Sequence, residues 1–257
     1  MIGAATRLIV LAGDPISHTK GYAEYAAALE VAGIDAVYLP LHVPGGAFAE
    51  FLRGARQMRN LAGIVATIPH KQAAFAASSP DVAARRSGAA NLLRPASQGW
   101  ESTNLDGFGF LVALRDAGMV LAGRHVQMLG AGGAGRAVAM AIAEMGPASL
   151  AIADPDAARA AALVQAVAVE FPCLPVAAAL GESEVLVNCS PIGMGQDDRL
   201  PLPAALIPDR GTVYDIVNRA DTPLLVAARE RGCIVEHGRS MMLAQIGLLI
   251  HFLFGPT

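Results

Sequence analysis

Short apolar runs alternate with longer, alanine-rich stretches along nearly the whole chain. Arg7–Ala12 (RLIVLA) has the uninterrupted apolar character of a buried strand, and Gly13-Asp14-Pro15 turns it. Ile16–Thr19 reads as a loop, and Tyr22–Ala32 predicts a helix stopped at Gly33. Ala36–Val43 predicts a second strand, which Pro40 places at a sheet edge or a bend. Gly46–Arg59 predicts a helix, Ala62–Ile68 a third strand ended by Pro69, and His70–Ala77 another helix. Ala89–Leu93 and Gly99–Thr103 predict short strands, and a polar turn at Thr103–Gly107 precedes a helix over Phe108–Ala117. The second half predicts strands at Val126–Leu129, Ser149–Ala153, Leu174–Val176, Val185–Asn188, Val213–Ile216 and Ile234–Glu236. Helices lie between most of them, including Ala137–Met145 and Ala157–Val169, and an apolar helix over Met241–Phe254 closes the chain. Strands alternating with helices predict an α/β protein with helices packed on largely parallel sheets.

One stretch within this alternation carries a phosphate-binding pattern. His125–Arg136 (HVQMLGAGGAGR) is an apolar strand, a glycine turn and a helix start. Gly130, Gly132 and Gly135 fit G-x-G-x-x-G, with Gly133 and Ala134 inside the loop. The first glycine permits the sharp turn, the second lets the backbone approach a pyrophosphate, and the third lets helix and strand pack closely. The diphosphate would rest on the free N–H groups of the helix N-terminus. The next strand ends at Asp154, where an acidic side chain accepts hydrogen bonds from ribose hydroxyls. The second half therefore reads as a Rossmann, doubly wound dinucleotide domain; a plain strand–turn–helix without ligand is the alternative.

Composition narrows the function classes. The 257 residues suit one large domain or two modest ones, and the 54% hydrophobic share supports a sizeable core. A net charge of −3 gives no reason to expect nucleic acid or an anionic membrane as partner. Ile246–Phe254 is too short an apolar run to span a bilayer, which takes about 20 residues. Met1–Thr6 lacks the charged and apolar regions of a secretory signal, so the expected location is cytoplasmic. Cys173, Cys189 and Cys233 are widely spaced and read as reduced thiols, with no metal site among them. Lysine is nearly absent: only Lys20 and Lys71 occur. Arginine replaces lysine on a solvated surface but not where a compact ammonium is needed, which draws attention to both.

An ordered set of motifs resembles the shikimate/quinate dehydrogenase family from residue 13 almost to the C-terminus. Gly13-Asp14-Pro15-Ile16-Ser17-His18 is similar to its G-x-P-I-x-H, and Thr67-Ile68-Pro69-His70-Lys71 to its T-I-P-[F/H]-K. Gly88-Ala89-Ala90-Asn91 is similar to G-A-V-N, and Asn104-Leu105-Asp106-Gly107 to N-T-D-G. Asn188–Met194 is similar to N-x-[T/S]-P-x-G-M, and Gly238–Gln245 to G-x-x-M-L-x-x-Q. The resemblance implies reversible hydride exchange between a nicotinamide cofactor and a ring hydroxyl of a small cyclic carboxylate. It implies a substrate domain formed by residues 1–106 with 241–257, and a dinucleotide domain over 107–240. Lys71 and Asp106 correspond to the family's catalytic pair. Loss of hydride from a carbinol carbon requires movement of the hydroxyl proton, and an ammonium oriented by a carboxylate stabilises the developing oxyanion. Thr19, Thr67, Asn91 and Gln245 correspond to substrate-binding positions. Gly130, Gly132, Gly133, Ala134, Gly135, Asp154, Asn188, Ser190, Met194 and Gly238 correspond to cofactor-binding ones. His18 is expected to support its loop, and Asp215 to orient the loop that follows it.

The chain also departs from the family. Where the family continues S-x-S-P, with both hydroxyls on the substrate carboxylate, this chain has Thr19-Lys20-Gly21-Tyr22. Val65 stands where the family has an asparagine for a ring hydroxyl, and Val217-Asn218-Arg219 replaces a segment carrying a tyrosine near the nicotinamide. These changes imply an altered substrate, with quinate or aminoshikimate as candidates; Lys20 is either a replacement carboxylate ligand or a solvated loop lysine. Relatives that use the phosphorylated cofactor carry N-R-T at the strand end where this chain has Ala153-Asp154-Pro155-Asp156, so NAD is expected over NADP. A non-catalytic dinucleotide-binding regulator is the rival reading, against which retention of both Lys71 and Asp106 argues. Monomer and homodimer are equally compatible with the sequence.

Overall fold

The computed structural model describes residues 2–17 and 19–256. The chain divides into two compact units, Met1–Leu105 with Gln245–Thr257, and Asp106–Ala244.

The first unit is built on a six-stranded sheet of β1 (Arg7–Gly13), β2 (Ala36–His42), β3 (Leu61–Ala66), β4 (Ser79–Pro80), β5 (Leu92–Ala96) and β6 (Gly99–Thr103), in the order β2-β1-β3-β5-β6-β4. β1 runs parallel to both β2 and β3, and β5 enters antiparallel to β3. The expected position of Pro40 holds: β2 is an edge strand, where a residue without an N–H is tolerated. The helices are α1 (Tyr22–Val31), α2 (Phe48–Ala55), α3 (Lys71–Ala76) and α4 (Val82–Ser87). The core gathers Val10, Phe48, Leu52, Ile64, Leu93 and Trp100.

Two expected elements of this unit need correction, and one helix is additional. The helix expected over Gly46–Arg59 is a 3-10 turn at Gly45–Ala47 followed by α2, because Gln57 and Met58 bond back three residues and wind the chain out. The strand expected from Ala89 begins at Leu92. Ala90 N–H is taken by the Lys71 carbonyl and Asn91 N–H by the Thr103 carbonyl, a crossing that is not a regular ladder. α4 was not foreseen, although Asp81 caps its N-terminus by accepting from Ala84 N–H and Gly88 ends it at φ 61°.

The second unit holds α5 (Asp106–Asp116) and a parallel sheet of β7 (His125–Leu129), β8 (Ser149–Ala153), β9 (Val176–Ala177), β10 (Val185–Asn188), β11 (Thr212–Asp215) and β12 (Ile234–His237). Its order, β12-β11-β10-β7-β8-β9, is that of the doubly wound Rossmann sheet. α6 (Gly133–Glu144), α7 (Ala157–Glu170) and α8 (Pro223–Glu230) connect it, and α9 (Gly238–Phe254) begins in this unit and ends in the first. α6 is apolar almost all round, with Ala137–Ala143 buried, so it is sandwiched between sheet and α5. Gly107 makes the α5–α6 approach: a Cβ there would lie 3.0 Å from the Ala137 carbonyl oxygen. None of the described helices is long and apolar enough to cross a membrane, and the three cysteines are free.

Each sheet contains a point at which the winding reverses. In the first it lies between β1 and β3, in the second between β7 and β10. Open α/β sheets bind ligands at the carboxyl ends of the strands flanking such a point.

Candidate active site

At the first reversal, the loops after β1 and β3 are tied together. Thr67 N–H donates to the Ala12 carbonyl (2.9 Å), and Asp14 N–H to the Ile68 carbonyl (2.9 Å). Gly13 is required here, because a Cβ would stand 2.5 Å from Thr67 Cγ2. Pro69 and His70 then turn the chain into α3. The His70 ring is buried and stacked on Phe48 at 4.3 Å, and its Nε2 meets the Val43 carbonyl at 2.8 Å. Burial lowers the His70 pKa, which keeps the ring neutral. With His70 locked in this way, Lys71 is presented as the first residue of α3, half-buried, its carbonyl holding Ala90 N–H at 2.9 Å.

Asn91 follows directly, and its amide is put to use on both sides. Oδ1 accepts from Leu105 N–H (2.9 Å), while Nδ2 donates to Gln245 Oε1 (3.4 Å). Residues 154 positions apart in sequence are thus brought together. Asn104 is buried and donates to Ser87 Oγ and the Ala89 carbonyl, fixing the turn before Asp106. Asp106 opens α5 and is 4% exposed. Thr19 lies half-buried on the loop after β1; its hydroxyl donates to the Ile16 carbonyl (2.8 Å) and meets the Tyr22 hydroxyl. Lys20 is exposed, and His18 lies outside the described residues. Val65 sits half-buried on β3 and brings no polar side-chain atom.

At the second reversal the glycine loop has the form its spacing requires. Gly130 takes φ 94°, and a Cβ on it would collide with the Cys189–Ser190 backbone at 2.7 Å. At Gly135 a Cβ would lie 2.0 Å from the Gly130 carbonyl oxygen. Gly132 differs: its φ is an ordinary −74° and nothing lies within 4 Å of a Cβ there. Neither backbone strain nor protein packing calls for glycine at 132, which leaves an open cradle of the kind a pyrophosphate fills. No side chain caps α6, so its first-turn N–H groups face that cradle, Gly133 and Ala134 among them. Asp154 closes one side: Oδ2 accepts from Ala131 N–H and Oδ1 from Asp156 N–H, both at 2.8 Å.

Asn188, fully buried at the end of β10, organises the other side. Its Oδ1 accepts from both the N–H (3.0 Å) and the hydroxyl (2.7 Å) of Ser190, and its Nδ2 donates to Asp215 Oδ1 (2.9 Å). Met194 is half-buried on the turn that follows. Gly238 starts α9 where a Cβ would lie 1.9 Å from the Ile216 carbonyl oxygen, so its identity is accounted for by backbone approach.

Asp215 does orient its loop, and with more partners than the sequence indicated. Its carboxylate also accepts from Thr222 Oγ1 (2.7 Å) and Val217 N–H (3.1 Å), linking β10 and β11 to the cap of α8. Burial raises its pKa to about 6 despite these bonds. Because the folded value lies above the unfolded one, the protonated form adds stability at low pH that is lost as pH rises through about 6. The difference in unfolding free energy between wild type and Asp215→Asn is therefore expected to fall by ~2 kcal/mol from pH 4 to pH 7. Urea unfolding across that range checks it; a flat difference would place the raised pKa elsewhere. Arg219, known from sequence only as a replacement, proves to be a loop tie. Its guanidinium donates to the carbonyls of Gly193, Gly195 and Asp197 and to the Asp198 carboxylate.

The pattern of the shikimate dehydrogenase substrate binding domain matches residues 11–93. The chain is 36% identical over 264 aligned residues to the shikimate dehydrogenase (NADP(+)) of Symbiobacterium thermophilum, covering 97% of this chain and 89% of that one. The chain belongs to the shikimate dehydrogenase family. The family's architecture is shared throughout: shikimate 5-dehydrogenase of Thermus thermophilus, solved with NADP(H) and shikimate, superposes with a TM-score of 0.86 at 32% identity, over 98% of this chain and 94% of that one. The Listeria monocytogenes shikimate 5-dehydrogenase, solved with shikimate and NAD, gives 0.83 at 26% identity over 99% and 94%. As a shikimate dehydrogenase family member the chain is an oxidoreductase with a substrate-binding and a Rossmann domain.

Proposed function

We propose that this chain interconverts a ring alcohol and ketone of a shikimate-type carboxylate, with NAD as the preferred cofactor and NADP as the second. The observation that carries this reading is Lys71: one of two lysines in the chain, it is held by the buried His70 at the strand-end turn where the family places its catalytic ammonium. In this reading Lys71 donates a hydrogen bond to the reacting oxygen and stabilises its negative charge, and Asp106 orients the ammonium. Thr67, Asn91 and Gln245 position the ring hydroxyls, and Thr19 the carboxylate end. Asn91 and Gln245 are already bonded to one another, so they form a prearranged pair of amides.

The bound dinucleotide supplies or takes the hydride. Gly130, Gly132, Gly133, Ala134 and Gly135 give its diphosphate a backbone bed, and Asp154 takes the ribose hydroxyls. Asn188, Ser190, Met194 and Gly238 shape the end at which the ring is held. The preference for NAD rests on Asp154, whose carboxylate opposes a 2′-phosphate, and on Arg159, which is occupied by Asp156 at 3.0 Å. A small-molecule partner suffices for this chemistry.

Steady-state rates with shikimate, quinate and aminoshikimate, each with NAD and NADP, test the reading. Turnover of at least one, dependent on Lys71, is expected. Dinucleotide binding without turnover of any would favour the regulatory alternative, to which the missing hydrogen-bonding group at Val65 lends some weight.

A further inference from the structure

Gly21 leaves this chain one hydroxyl short at the loop after β1, and the structure shows what stands nearest to replace it. Gly21 is the cap of α1 at φ 97°, a conformation that L side chains avoid, so serine would be strained there. The turn it makes brings the hydroxyl of Tyr22 against that of Thr19. A threonine hydroxyl has a single proton. Thr19 gives its proton to the Ile16 carbonyl at 2.8 Å, so the proton shared by the two hydroxyls belongs to Tyr22. Thr19 commits its proton to that carbonyl before a ligand arrives, while the Tyr22 proton can be redirected to an arriving anion without breaking a bond that holds the loop.

The placement fits this role. Tyr22 follows β1, whose loop is bonded to the Thr67–Lys71 turn, at the carboxyl end of the β1/β3 reversal. Its ring is half-buried and packs against Tyr38 at 6.0 Å, and Tyr38 is itself stacked on Tyr25 at 4.1 Å. A hydroxyl carried on a ring held in this way is ordered before the ligand arrives, which lowers the entropic cost of binding. Lys20, in the same turn, is exposed.

Building on the proposed function, we infer that the Tyr22 hydroxyl is the hydrogen-bond donor to the substrate carboxylate, in place of the hydroxyl missing at Gly21. Charge-assisted bonds to carboxylates are roughly twice as strong as neutral ones, so the effect should depend on substrate charge. The experiment compares wild type, Tyr22→Phe and Lys20→Ala with shikimate and with shikimate methyl ester, which lacks the charge. Tyr22→Phe is expected to raise KM for shikimate about tenfold with kcat within about twofold, the mark of lost uniform binding. KM for the ester should stay within about twofold, as should both substrates with Lys20→Ala. Melting temperatures of the three proteins should agree, since phenylalanine keeps the ring contacts.

An unchanged KM for shikimate in Tyr22→Phe overturns the inference while leaving the proposed function standing. An equal rise for acid and ester also overturns it, by showing a structural role. A rise confined to Lys20→Ala assigns the carboxylate to the ammonium instead. The acid and its ester are taken from whichever of shikimate, quinate and aminoshikimate the wild type turns over, and inactivity on all three overturns the proposed function and this inference together.

Discussion

Replacing Lys71 by methionine is expected to lower kcat by about 10³, within the range for loss of a positioned proton-transfer group. Methionine keeps the length and apolar stem of lysine but offers neither a charge nor a donor to the reacting oxygen. The fold should not suffer, because α3 is anchored by His70, through Phe48 and the Val43 carbonyl, and not by the Lys71 side chain alone. Dinucleotide affinity should stay within about twofold, since the glycine loop belongs to the other unit. Asp106→Asn should lower kcat less, by about 10², since it keeps the shape and one acceptor while removing the charge proposed to orient the ammonium. Stopped-flow measurement of the hydride step and titration of the dinucleotide separate chemistry from binding. A loss below tenfold in Lys71→Met would assign proton transfer to another group.

The second large effect concerns the cofactor. Wild type is expected to favour NAD over NADP by at least about tenfold in kcat/KM. Two like charges about 5 Å apart cost ~3 kcal/mol at an effective dielectric near 20, and the Asp154 carboxylate lies against the first residues of the loop. Asp154→Ser removes that repulsion and also removes the acceptor for Ala131 N–H. The variant is therefore expected to lose NAD affinity and gain NADP affinity, shifting the ratio of kcat/KM values by about 10². The relatives named for NADP(+), 33% to 37% identical to this chain, make this comparison informative. Equal use of both cofactors by wild type would show that the ribose is held away from Asp154.

Much of this architecture could be read from the residues because local signals and tertiary demand agree. The Rossmann sheet is legible from buried apolar runs at regular spacing, and the glycine loop from a spacing that backbone collision enforces at Gly130 and Gly135. α4 was missed, though its two caps were visible, because it is six residues long and carries almost no apolar periodicity. The segment Ala89–Asn91 looks like a strand because it is apolar and buried, yet its backbone is shared among Lys71, Ala66 and Thr103. That is a long-range arrangement which no local pattern records. The same holds for the site: Lys71, Asn91 and Gln245 were named from motifs, whereas the partners of Asp215 and the grip of Arg219 on three carbonyls depend on loops meeting in space. In the sequence Tyr22 is a helix start that takes the place of a proline. Its part in the loop emerges from the direction in which Gly21 turns the chain.

The discontinuous first unit has a consequence for biosynthesis. Its sheet precedes the Rossmann unit in the chain, yet the stretch from Gln245 onward, which belongs to the same unit, follows it. Leu253 covers Gly63 on β3, where a Cβ would lie 2.4 Å from it, and the Phe252 carbonyl receives Arg94 at 2.8 Å. The Rossmann unit is built from one continuous segment, whereas the earlier-made sheet must wait with one face uncovered until the residues from Gln245 onward are added. A nascent chain stalled before residue 245 should expose apolar surface to dyes and to chaperones in its first hundred residues, and release of the full chain should hide it.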